Sequence, residues 1–180
     1  MITPERLRRK HWSFVFAWVA LIYGTLYFVR PVCTFLQNTT PFALLVNILM
    51  YALLVILIVG LFVQGKINRP LPLLLLVMIG GAYVYGLLII PNPEEKLHFI
   101  EYGILAYLIF RAVELDFRRP LAFLYAFLLT AAFGWIDEGI QHLLPNRYYQ
   151  NEDVLLNAAS GLLGLAVIYV FRSGQAKAMA

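Results

Sequence analysis

Three short blocks carry most of the polar groups that could do chemistry in this chain. In the first, His98, Glu101, Tyr102 and Leu105 follow an i, i+3, i+4, i+7 spacing, so an imidazole, a carboxylate and a phenol project from one face of a helix. In the second, Thr130, Gly134, Asp137 and Gln141 share a helical face, with Glu138 beside it and His142 turned further round. The third follows a turn at Pro145-Asn146: Arg147, the interfacial pair Tyr148 and Tyr149, then Asn151-Glu152-Asp153, with Asp153 expected as a helix N-cap. From Asp153, Asn157, Ser160 and Gly164 recur along one stripe, with Gly161 on its flank; small residues there let another helix approach, and Asn157 can hydrogen-bond across the gap. Asp137 and Glu138 repel each other and sit near a helix carboxyl end, where the macrodipole disfavours negative charge. A cation, a shared proton or a metal should therefore compensate them, and Arg147 is the nearest candidate in sequence.

Several chemistries fit these residues. A recess could capture a polar or phosphorylated lipid headgroup, or a lipid-anchored antibiotic, with Arg147 and Lys96 attracting anions and the acids setting the geometry. Alternatively, His98, Glu101 and Asp137 or Glu138 could hold a divalent metal while another carboxylate serves as general base in an intramembrane hydrolase or transferase. No His-Glu-x-x-His motif is present, Ser160 lies in a packed stripe unsuited to a nucleophile, and neither a catalytic residue nor a cofactor is assigned. The plainest reading is a polar lock formed by His98, Glu101, Asp137, Glu138, Gln141, Arg147, Asp153 and Asn157, joining three helix ends. So many ionisable groups at one membrane depth favour a site over a lock. A fourth reading is an accessory subunit of a larger membrane complex, in which Trp12, Trp18, Tyr23 and Tyr27 touch lipid or a partner.

The elements that must position these groups follow from composition. The 180-residue chain is 62% hydrophobic and 13% charged, against roughly half and a quarter in soluble domains. The apolar residues come in six runs, 12–29, 42–63, 71–90, 97–113, 121–136 and 154–171, of 16 to 22 residues each. About 20 helical residues cover a ~30 Å hydrocarbon layer, and backbone amides in lipid must bond within their own helix. The expected class is therefore all-α, a polytopic bundle of six transmembrane helices. Counted by alternate ends, eleven of the fourteen Lys and Arg fall on one side, and only Arg30, Lys96 and Arg147 on the other. The positive-inside rule then places both termini in the cytoplasm and leaves no role for nucleic acid. Seven of the ten acids lie on the outer side, so any site is expected there. The first run lacks a small-x-small cleavage pattern after Val29 and reads as a retained anchor. Cys33, the single cysteine, excludes an internal disulfide framework. Asn92-Pro93-Glu94-Glu95 reads as a helix start, with Asn92 as N-cap.

The ordered set Lys96, His98, Phe99 and Tyr102, then Asp137, Glu138 and Gln141, then Pro145 and Arg147, and finally Asp153 and Asn157 resembles the VanZ-like family. The resemblance covers about residues 71–171. It divides the chain into an amino-terminal basic segment with a two-helix addition (1–70), a four-helix core (71–172) and a cytoplasmic tail (173–180). It implies a multi-pass protein of the bacterial cytoplasmic (inner) membrane that acts in the cell envelope, with membrane lipids or a lipid-linked ligand as partners. The family's named relative is associated with resistance to the lipoglycopeptide teicoplanin.

Overall fold

A computed structural model describes residues 3–64, 70–145, 147 and 149–173. Lys66, Arg69, Asn146, Tyr148, Lys177 and the tail from residue 174 lie outside the described residues. The elements in chain order are α1 (Pro4–Thr39), α2 (Phe42–Val63), α3 (Pro70–Ile89), α4 (Pro93–Lys96), α5 (His98–Val113), α6 (Arg119–Leu143) and α7 (Asn151–Ser173), with no strand among the described residues. Five of these, α1, α2, α3, α6 and α7, are long and apolar enough to cross a membrane. The other expected span, α5, has 16 residues, about 24 Å at ~1.5 Å rise per residue. Eight of its residues are buried, so it is enclosed by protein to a degree the longer helices are not.

Local chemistry sets the helix boundaries. Pro4 occupies the first position of α1, where its fixed φ suits a helix, and the Thr3 hydroxyl accepts the Arg6 backbone N–H at 3.4 Å. This helix runs well beyond the expected 12–29 span. It passes through Pro31, which removes one backbone donor without ending it. The expected start at Asn92 is a separate turn: Pro93–Lys96 is helical, and Leu97 keeps right-handed angles (φ −66°, ψ −23°) before α5 begins. Asn92 makes no side-chain capping bond; its amide donates to the Glu95 carboxylate.

The chain forms two compact units. The first joins the residues up to Val32 with His98–Leu165. On α1, Val15, Val19, Ile22 and Leu26 form a buried stripe at helical spacing. On α6 the buried face is Ala122, Ala126, Thr130, Gly134, Asp137, Glu138 and Gln141, which contains the expected Thr130–Gly134–Asp137–Gln141 stripe. Arg8 is ion-paired with Asp116, so the start of α1 and the α5–α6 turn lie at the same end of this unit.

The second unit comprises Cys33–Leu97 and the chain from Ala166 onward. Within it the Lys96 ammonium, 6% exposed, donates to Asn47 Oδ1 at 2.8 Å, and Gln37 donates to the Glu94 carboxylate at 2.9 Å. Only Val46, Met50 and Leu61 of α2 are buried, while residues such as Ile48, Ile56 and Val59 are exposed. Such a surface suits lipid, where burying more apolar area between helices yields little.

Candidate functional site

Within the first unit, α5, α6 and α7 approach closely because small residues stand at their crossings. A Cβ at Gly164 would lie 2.9 Å from the Gly103 Cα; one at Gly161 would lie 2.6 Å from Thr130 Cγ2; one at Gly134 would lie 2.6 Å from the Asn157 Cβ. The antiparallel register of α6 and α7 follows from those pairs. As residue number rises from 130 to 134 on α6, its partner falls from 161 to 157 on α7. The same register carries the polar groups: the Asn157 amide donates to the Gly134 carbonyl at 3.3 Å, so the expected cross-helix bond is present.

One turn beyond Gly134 lies the carboxylate pair. Asp137 and Glu138 are both fully buried. The Tyr102 hydroxyl donates to Asp137 Oδ2 at 2.8 Å, and the Gln141 amide donates to the same oxygen at 3.4 Å and to Glu138 Oε1 at 2.8 Å. The Gln150 backbone N–H donates to Glu138 Oε2 at 3.3 Å, and its side-chain amide to Asp153 Oδ2 at 3.3 Å. Among the described residues, every hydrogen-bond donor to the pair is thus neutral. His98 is occupied with Glu101, its Nδ1 3.3 Å from Oε2, and its ring lies 5.8 Å from that of Tyr102.

Arg147 does not compensate the acids. Its guanidinium donates instead to the Leu26 carbonyl on α1 at 3.4 Å, and among the described residues it forms no ion pair with Asp137 or Glu138. Leu144 is extended (φ −87°, ψ 138°), and the Arg147 N–H donates to its carbonyl at 3.3 Å. Asp153 is not the N-cap; α7 begins at Asn151, so Asp153 lies in its first turn, where a carboxylate still meets the positive end of the helix. The metal-holding arrangement of His98, Glu101 and Asp137 or Glu138 is not formed: among the described residues no three His, Cys, Asp or Glu side chains converge to hold an ion.

The structure adds residues that the spacing rules did not single out for this region. Gln150 ties Glu138 to Asp153. Trp18 donates its indole N–H to the Glu101 carbonyl at 3.0 Å, and the Tyr23 hydroxyl donates to the Phe133 carbonyl at 2.7 Å. Two of the aromatics expected to touch lipid or a partner therefore bind α1 to α5 and α6. Among the described residues, the buried polar atoms of α6 and α7 that meet no protein partner are Asp137 Oδ1, Asn157 Oδ1 and Ser160 Oγ.

Close small-residue packing, a buried tyrosine–carboxylate bond and an asparagine across the helix gap make one connected arrangement. The VanZ/LLP1 family profile matches residues 6–172. The chain belongs to this family. The VanZ/LLP1 match takes in the first two long helices as well as segment 71–172, in keeping with an α1 whose Trp18 and Tyr23 bond to the site-bearing helices. No curated protein and no solved structure matches the chain. Together with its five long apolar helices, family membership makes it a VanZ-like multi-pass membrane protein.

Proposed function

We propose that this VanZ-like protein crosses the bacterial cytoplasmic membrane six times with both termini inside, and uses the outer end of its first unit to bind the polar headgroup of a lipid or lipid-linked envelope ligand. The observation that carries the reading is the set of buried acceptors without a donor among the described residues, Asp137 Oδ1 and Asn157 Oδ1, beside a carboxylate pair that those residues serve with neutral donors. Such a group of atoms is costly in a membrane interior and is repaid by hydroxyl or amine donors brought by a ligand. The orientation is supported by the Arg8–Asp116 pair, which joins two segments that the charge count puts on the cytoplasmic side.

Titration of the detergent-purified protein, followed by native mass spectrometry, tests the binding. Phosphatidylglycerol, with a hydroxyl-rich headgroup, should be retained at least about tenfold more tightly than phosphatidylcholine, a difference of ~1.4 kcal/mol. Equal retention of both would contradict the proposal. Orientation has its own measurement: in intact cells an impermeant thiol reagent should label Glu95→Cys and leave Arg118→Cys unlabelled. The reverse pattern would invert the topology.

A further inference from the structure

In the second unit the sequence supplies two acids, Glu94 and Glu95, and both immediately precede a buried cation. Lys96 is 6% exposed, and among the described residues it forms no ion pair. Its hydrogen bond runs to a neutral oxygen, Asn47 Oδ1 at 2.8 Å, which takes one of the three donors an ammonium carries. The acids are likewise served by neutral amides: Gln37 donates to Glu94, and Asn92 donates to Glu95. Gln37 near the end of α1 and Asn47 near the start of α2 flank the same corner of the chain, and each holds one charge of α4 without neutralising it. A buried ammonium without a counter-charge is costly, so two open donors on it call for an anion. The carboxylates are only half-buried, which puts acceptors toward the surface and the cation behind them. That order of charges complements a zwitterion whose anionic group enters first and whose cationic group stays outermost.

We infer that Lys96, Glu94 and Glu95 seat the headgroup of an aminophospholipid: the Lys96 ammonium donates to a phosphate oxygen, and the two carboxylates accept N–H bonds from the primary ammonium of the lipid. Depth favours a lipid as the occupant. The 22 residues of α2 extend about 33 Å, close to the hydrocarbon thickness, and Asn47 lies five residues after Phe42, about 7.5 Å along the axis. Its partner Lys96 is therefore nearer the membrane boundary, where lipid phosphates lie, than the midplane. This seat lies in the second unit and does not rest on the headgroup-binding reading of the first.

The test compares phosphatidylethanolamine with phosphatidylcholine in titrations of the whole detergent-purified protein followed by native mass spectrometry. The two share a phosphate, but the trimethylated nitrogen of phosphatidylcholine has no N–H to give. The wild type should retain phosphatidylethanolamine at least about tenfold more tightly, because charge-assisted bonds to Glu94 and Glu95 are available to it alone. Glu94→Gln with Glu95→Gln keeps an acceptor for each neighbouring amide and should bring that ratio close to one. A ratio measured on one protein sample does not depend on how much of the sample is folded. Lys96→Gln, which keeps a donor for Asn47, should weaken retention of both lipids at least about tenfold, since both lose the phosphate contact. Soluble phosphoethanolamine, lacking acyl chains, should bind the wild type at least about tenfold more weakly than the lipid, and equal affinity would overturn a lipid as the occupant. A wild type indifferent between the two lipids overturns the seat, as does a preference that survives in the Glu94→Gln, Glu95→Gln protein or lipid retention unmoved by Lys96→Gln. Loss of the phosphatidylglycerol preference expected of the first unit would leave this seat standing, because its readout is a different pair of lipids.

Discussion

Gly164→Ala should destabilise the protein by about 2–3 kcal/mol, near the top of the usual range for overpacking, even though alanine is the better helix former by ~1 kcal/mol. The added Cβ would lie 2.9 Å from the Gly103 Cα, 3.0 Å from its carbonyl oxygen and 3.3 Å from its carbonyl carbon. All three are backbone atoms of a hydrogen-bonded helix, so no side-chain rotation can relieve the contact, and α5 and α7 must separate. That separation would also disturb the register that brings Asn157 to Gly134. Gly139 provides the comparison, because a Cβ there meets nothing within 4 Å and Gly139→Ala should be neutral. Chemical unfolding in detergent measures both. A Gly164→Ala protein as stable as wild type would mean that the two helices do not cross at these glycines.

Tyr102→Phe should cost about 2–4 kcal/mol, the range for stranding a buried charged or strongly polar partner. The ring remains to fill its space, so the loss isolates one O–H donor. Tyr102 and Asp137 are both fully buried, and the 2.8 Å bond between them is the shortest that Asp137 receives. Without it, Oδ2 keeps only the 3.4 Å contact from Gln141, and Oδ1 already has no protein donor. Asp137→Asn changes the charge while nearly preserving shape. In that background Tyr102→Phe should cost at least about 1 kcal/mol less, because a neutral amide is cheaper to leave unpaired than a carboxylate. Equal costs in the two backgrounds would show that the hydroxyl matters only for packing.

The arrangement of Thr130, Gly134, Asp137 and Gln141 on one buried face was legible because helical periodicity is local: 3.6 residues per turn fixes which side chains share a side before any neighbour is known. The pairing of Asn157 across a small-residue gap was legible for the same reason, since glycine at helical spacing marks a close crossing. The choice of partners was a different matter. Arg147 is the nearest candidate cation for the acids in sequence, yet its guanidinium bonds to the Leu26 carbonyl on α1. Trp18 and Tyr23 fitted an interfacial belt by type, and their hydrogen bonds reach residues 83 and 110 positions away.

Sequence by itself determined that this chain is helical, that it belongs in a membrane and which polar residues share each helical face. Those properties follow from hydrophobic run length, the obligation of each backbone amide to bond within its helix, and a fixed helical pitch. Only the tertiary structure decided that α1 hydrogen-bonds to the helices bearing the site and that neutral donors among the described residues serve the carboxylate pair. Contacts between distant segments depend on how far helices can approach and how they cross, and a few missing Cβ atoms set both.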